Sequence, residues 1–216
     1  MSTETWAVIP TRDREDLLDR CLDSLAGQVD GIVVVNNSDT PLDLGGNVDV
    51  INQPSWPPNL STMWNRGLDH VAEHILSAEW NVAIVNDDAE LPAGWAASLA
   101  DALVETGAAL AYTDRLGRDA RVLYREPPRT QWESMSGWAF MLRGGDGFRF
   151  DESLRWWWAD TAADFWARRN GGTVAVPGAQ PIHHHPNGHT NAHPVLAEQA
   201  GKDRQRFAEI WGSPPW

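Results

Sequence analysis

Short apolar runs, each broken off by a cluster of amides or carboxylates, alternate along the chain with stretches in which apolar residues recur every three or four positions. The runs at 6–9, 32–35 and 82–85 are short and largely β-branched, as in strands buried on both faces of a parallel sheet. A weaker run covers 48–51. Leu17, Leu18, Cys21, Leu22 and Leu25 mark one amphipathic helix; Leu60, Met63, Trp64, Leu68, Val71, Ala72 and Ile75 mark a second. Gly67 lies inside the second, at a cost of about 1 kcal/mol unless close packing or a ligand needs the missing side chain. Pro92 is placed to open a third helix with Trp95, Leu99 and Leu103 on one face, closed by Gly107, and a strand follows at 108–112.

Residues 113–136 are polar, arginine-bearing and poorly periodic apart from a short strand at 122–124, a pattern that predicts a mobile loop over a site. The core pattern returns at 137–142. A helix carrying Asp164, Phe165, Trp166 and Arg168 then runs to Gly171-Gly172, followed by a strand at 173–176 and a closing helix over 196–210. Strand, polar end and connection, repeated in this way, predict an α/β domain with a doubly wound start rather than a barrel.

The run at 80–85 ends abruptly in Asn86-Asp87-Asp88, and the rest of the chain is organised around that end. Open α/β sheets bind ligands at the carboxyl ends of their strands. A carboxylate there can hold a divalent cation that neutralises a phosphate. The same residues also suit a turn, with Asp88 or Glu90 capping the helix beyond Pro92.

Composition narrows the picture. With 216 residues the chain builds one large α/β core, a single domain over 1–216. Lys plus Arg number 17 against 30 Asp plus Glu, and the formal charge of -13 opposes nucleic acid or anionic lipid as a partner. One cysteine, Cys21, excludes an intrachain disulfide and a Cys-rich zinc site; its place on an apolar helix face assigns it to the core. The opening apolar run is too short for a signal peptide and no run reaches transmembrane length, so a soluble cytoplasmic protein is expected. The 13 tryptophans stand out, because such bulk often lines sites that grip sugars, rings or peptides.

Three acidic or amide clusters follow apolar runs: Asn36 to Asp39, Asn86 to Asp88, and Asp160 with Asp164. Five of the seven histidines fall between 183 and 193. Hard oxygen ligands with an imidazole suit a nucleoside diphosphate and its cation; a solvated loop is the competing, and commoner, account of clustered histidines. Glycine-rich dinucleotide and triphosphate loops are absent, as is the Gly-x-Ser-x-Gly elbow of serine hydrolases. The first turn instead reads Pro10-Thr11-Arg12, in which Arg12 either touches a phosphate or is exposed.

The ordered set of motifs resembles the family 2 glycosyltransferases, which have the GT-A fold. Residues 8–14 with Leu17-Leu18 and Cys21-Leu22 are similar to that family's start, 33–38 to its second strand and nucleotide-binding turn, and Asn59 with Asn65-Arg66-Gly67 to its asparagine and glycine pattern. Residues 85–92 resemble its acidic metal motif, and Phe150-Asp151-Glu152, Asp160, Asp164, Arg168 and Gly171 its acceptor-side segment. The resemblance implies a mixed, mostly parallel central sheet flanked by helices, with a nucleotide-binding half over about 1–112 and an acceptor-side half over about 113–216. Pro10, Thr11, Arg12, Asn36, Asn65, Asn86, Asp87, Gly137 and Trp138 fall at donor-binding places. Asn36 stands where the family usually has an aspartate beside the nucleobase, and Asn86 replaces the first acid of the metal motif.

The same resemblance makes Asp88 the first choice for a ligand of Mn²⁺ or Mg²⁺, with His184 beside it and His183 and His185 as rivals for that place. Asp160 falls where inverting relatives place the catalytic base, and Asp164 shares its helical face, four residues on rather than the usual two. An N-cap role for Asp160 and a solvated pair between Asp164 and Arg168 is the competing reading. Trp157 and Trp158, with Trp156, supply flat amphipathic rings for an acceptor wall. The implied activity is a metal-dependent, inverting transfer from a nucleotide sugar to a saccharide, lipid-linked or protein acceptor. Two alternatives stand beside it: a sugar-phosphate nucleotidyltransferase, and an inactive relative that binds sugar, nucleotide or protein.

Overall fold

A computed structural model describes residues 3–184 and 193–213. Strands β1 (Glu4–Thr11), β2 (Gly31–Asn36), β3 (Val48–Asn52) and β4 (Trp80–Val85) are mutually parallel in the order β3-β2-β1-β4. Helix α1 (Glu15–Leu25) links β1 to β2, and α2 (Leu60–His74) links β3 to β4. Strand β1 runs through Pro10 to Thr11, so the proline does not stop it; Pro10 pairs with Val35 at the sheet's carboxyl end.

Beyond β4 come a two-residue strand β5 (Ala89–Glu90), helix α3 (Trp95–Thr106), β6 (Leu110–Thr113), β7 (Val122–Tyr124) and β8 (Ala139–Arg143). Pro92 precedes α3 by a turn, accepting the Trp95 N–H at 3.1 Å, and left-handed Gly107 (φ 67°) closes the helix. Helix α4 (Ala159–Arg169), β9 (Thr173–Val176), β10 (Ile182–His183) and α5 (Pro194–Trp211) complete the chain. Strand β8 inserts antiparallel between β4 and β6, giving an eight-stranded mixed sheet ordered β3-β2-β1-β4-β8-β6-β9-β7. Strands β5 and β10 form a small antiparallel sheet of their own.

The period-two alternation of the strands sorts side chains into two cores. Val8, Val33, Val35, Val82 and Ile84 face α2, α4 and α5, while Ala7, Ile9, Ile32, Val34, Ala83 and Val85 face α1 and α3. Gly67 is explained by packing: a Cβ there would overlap Val8 Cγ1, where α2 crosses β1. The segment 113–136 is not a free lid. Strand β7 pairs with β9, and Arg168, inside the protein, donates to the carbonyls of Glu126 at 2.7 Å and Glu133 at 2.5 Å, pinning the loop. No helix among the described residues is long and apolar enough to cross a membrane.

Candidate functional site

A cavity of about 570 Å³ opens at the carboxyl ends of β1 and β4, under the start of α4. Its size is that of a small-molecule site. The acidic turn after β4 forms one side. There Asp87 accepts from Thr11 Oγ1 at 2.7 Å and from the Arg14 guanidinium, and Asp88 Oδ2 accepts from Arg14 Nη1 at 2.8 Å. Arg14 sits at the N-cap of α1 and reaches across to hold both acids. Burial raises the Asp87 pKa to about 6 even though Arg14 and Thr11 pull it down. With both oxygens engaged, Asp87 braces the turn.

Asp88 is different. Burial pushes its pKa up, but His183 and Arg14 outweigh this and hold it below the ordinary carboxylate value. His183 Nε2 lies 3.0 Å from Asp88 Oδ1, a buried carboxylate oxygen with no other partner among the described residues. The β5–β10 pairing makes this contact, with His183 opposite Ala89 and the His184 N–H bonded to the Asp88 carbonyl at 3.0 Å. Strand alternation then sends the His184 ring the other way, to Glu90 Oε2 at 3.1 Å. The expectation that His184 stands beside Asp88 is thereby corrected to His183; His185 lies outside the described residues. Asp88 Oδ1 and His183 Nε2 are a ligand pair that fits a divalent cation.

Gly137, Trp138 and the start of α4 contribute another part of the wall. Trp138 packs against His183 with ring centroids 4.6 Å apart and the rings tilted by 36°. Asp160 lies over Gly137 so closely that a Cβ on the glycine would overlap Asp160 Oδ2. Half-buried, Asp160 accepts from its neighbour Thr161, through the N–H at 2.8 Å and the hydroxyl at 3.5 Å, and burial raises its pKa above the ordinary carboxylate value. It is not an N-cap, since Trp158 takes that place with φ 71°. Trp158 and Asp13 are the non-glycine residues with positive φ among those described; Trp158 lines the cavity and Asp13 stands between its lining residues Arg12 and Arg14, a strain that clusters at functional sites.

Three expected site residues turn out to be occupied by the fold. Asp164 is fully buried, bonded to Arg168 Nε at 2.9 Å and Ser134 Oγ at 3.2 Å, and does not line the cavity. It does pair with Arg168, but inside the protein rather than in solvent. Asn36, also fully buried, spends its amide on Thr40 O, Asn52 Oδ1 and the Ser38 N–H, holding the turn after β2; Asn37 lines the cavity instead. Asn65 clasps Phe150 through both its N–H and C=O, at 2.9 and 2.8 Å. Pro10, Thr11, Arg12, Asn86, Asp87, Asp88, Gly137, Trp138, Trp157, Trp158 and Asp160 do come together on the one cavity.

The structure adds residues that pattern reading missed. Trp56 and Trp64 join the expected Trp138, Trp156, Trp157 and Trp158 in the cavity lining. Arg12 stacks over Trp56 at 5.1 Å. The loop carrying Trp156 to Trp158 hangs from Asp203 of α5, a fully buried carboxylate that accepts the N–H groups of Arg155, Trp156 and Trp157 at 3.1, 2.7 and 2.8 Å. Its heptad relation to Leu196, on the buried stripe that Phe207 continues, was the available signal: an acid on an apolar stripe needs buried partners. Arg14, the next basic residue after Arg12 in the first turn, was missed as well. Among the described residues a three-donor Asp/His cluster does occur, at Asp49, His70 and His74, but none of these lines the cavity.

Comparison with known proteins bears on this geometry. A family model described as "Glycosyl transferase family 2" matches residues 6–171. No curated protein matches the sequence. Among solved structures, S. aureus TarS 1–349 is similar with a TM-score of 0.60 at 14% identity, over 96% of this chain and 70% of that one. A second TarS structure from S. aureus gives 0.59 at 15%, over 96% of this chain and 43% of that one. At such identity the likeness is one of fold, the mixed, helix-flanked sheet of the GT-A type.

Proposed function

The chain belongs to glycosyltransferase family 2, and we propose that it moves a sugar from a nucleotide-sugar donor to an acceptor hydroxyl with inversion at the anomeric carbon. The observation that carries this reading is that Asp88 and Asp160, from different halves of the chain, line one cavity. The donor's diphosphate lies at the carboxyl ends of β1 and β4, where Arg12 and Arg14 supply positive charge and Asn37 and Asn86 polar contacts. An ion held by Asp88 and His183, Mn²⁺ or Mg²⁺, would offset charge on the departing diphosphate.

Asp160 takes the acceptor's proton as its oxygen bonds to the anomeric carbon and the bond from that carbon to the phosphate oxygen breaks. Its raised pKa makes it a stronger base than an ordinary carboxylate. Gly137 gives the carboxylate room, and Asp164 acts at a distance by fixing α4 to the loop before it. Trp156, Trp157 and Trp158 cover the C–H faces of the acceptor. That aromatic wall favours a saccharide unit as acceptor, whether free, lipid-linked or attached to protein.

The test is a thermal-shift screen of nucleoside diphosphates and nucleotide sugars with and without Mn²⁺, followed by transfer assays with the stabilising donor. Asp160→Asn is expected to keep the shift and lose transfer. No shift with any nucleotide, or full transfer by Asp160→Asn, removes this reading. A second reading has its own observation: Arg14 already bridges Asp87 and Asp88, so the guanidinium itself, without an ion, faces the diphosphate. Transfer that survives EDTA and fails in Arg14→Ala selects that version.

A further inference from the structure

At the far end of α2 from the cavity, Asp49, His70 and His74 bring one ligand atom each to within 4.8 Å of one another. We propose that they form a second cation site, for a borderline divalent ion of the zinc class, joining the edge strand β3 to the last turns of α2. The site is separate from the cleft: Leu60, Met63 and Trp64 at the start of α2 line the cavity, and His74 lies roughly 15 Å further along the helix axis. It does not depend on the transferase reading.

Two histidines four apart on a helix share a face, and here their rings stack with centroids 4.2 Å apart. His74 Nδ1 lies 2.7 Å from the His70 carbonyl. An N–H donated there fixes the tautomer and leaves the Nε2 lone pair free, the arrangement that metal-binding imidazoles commonly have. His70 Nε2 lies 2.8 Å from Asp49 Oδ2, so strand and helix already meet at the proposed ligands.

Zinc–nitrogen and zinc–oxygen bonds of about 2.1 Å put tetrahedral ligands roughly 3.4 Å apart, a separation these side chains reach by small rotations. Two imidazoles and one carboxylate select zinc over magnesium or calcium, and the partly exposed setting leaves the fourth position to water. The carbonyl end of α2 favours the positive charge further.

The test is zinc titration of the full chain by calorimetry and thermal shift, comparing wild type with His74→Ala and Asp49→Asn; the exposed His74 can be removed with little cost to folding. Wild type is expected to bind one equivalent more than either variant. It should also gain roughly 5 °C in Tm at one hundred times the dissociation constant, a gain the variants lose. A third variant, Asp88→Asn with His183→Ala, should keep both the equivalent and the shift. Unchanged stoichiometry and shift in His74→Ala and Asp49→Asn, or their loss only in the third variant, overturns the proposal.

Discussion

The acidic turn after β4 and the tryptophan loop before α4 line the same cavity but are held in opposite ways. Around the turn, Thr11, Arg14, Asp87, Asp88 and His183 bind one another side chain to side chain, so its charges are fixed where they stand. The loop's rings are placed indirectly, because three successive backbone N–H groups are tied to the single carboxylate of Asp203 and Trp158 is forced into left-handed backbone. A charge network is set before the ligand arrives and favours one geometry. A wall hung from one distant point can be moved by one distant change. In the proposed function the first arrangement would hold the donor's diphosphate and the second the acceptor.

That contrast can be broken most severely at Asp160, which stands between the two regions. Asp160→Asn is expected to lower kcat by about 10³-fold while donor affinity is kept. Its raised pKa has a stability consequence of definite sign. The folded state holds the proton more tightly than the unfolded chain, so wild type loses stability as pH rises from the ordinary carboxylate value through the raised one. The Asn variant therefore melts higher than wild type at neutral pH, the gap closes on acidification, and the acid limb of wild-type kcat/KM lies above the usual carboxylate range. Melting curves and rate profiles against pH check both.

Asp203→Ala comes next, since it orphans three backbone donors and the Gln199 amide. A loss of about 3 kcal/mol is expected in denaturant unfolding. Acceptor KM should rise while nucleoside diphosphate affinity stays near wild type; an equal loss of both would show the regions to be one unit. Gly137→Ala sets a methyl group against Asp160 Oδ2, and kcat should fall about tenfold or more with a destabilisation of about 1–2 kcal/mol.

Asn36→Ala is expected to cost about 1–2 kcal/mol through the turn after β2, with the ranking of nucleobases unchanged because its amide is spent inside the fold. A changed ranking in a binding screen would return it to the base site. Trp157→Ala should have the smallest effect. The ring is 40% exposed, so melting should shift little, while acceptor KM rises a few-fold at unchanged kcat.

The sequence made the fold legible where periodicity is local. Strands at 6–9, 32–35 and 82–85 and helices from Leu17 and Leu60 all form, with ends displaced by one or two residues. The places where chemistry gathers were legible too, because polar clusters after apolar runs mark strand ends. Which member of a cluster faces the cavity was not. Asn36, Asn65 and Asp164 have the residue type and position of site groups, yet their hydrogen bonds close turns and ion pairs within the fold. His183 and His184 differ only by the alternation of a two-residue strand whose partner lies over ninety positions away, and so short a strand leaves no periodic trace.

By itself, then, the chain's order of residues determined the alternation of strands and helices, the two-faced core and the acidic strand end, since each follows from spacing between near neighbours. Tertiary structure alone decided that Thr11 meets Asp87, that His183 rather than His184 meets Asp88, and that Asp203 carries the tryptophan loop. Those pairings join residues 46 to 95 positions apart in the sequence. A local period carries no information about which of several polar side chains remains unsatisfied once the backbone has closed around it.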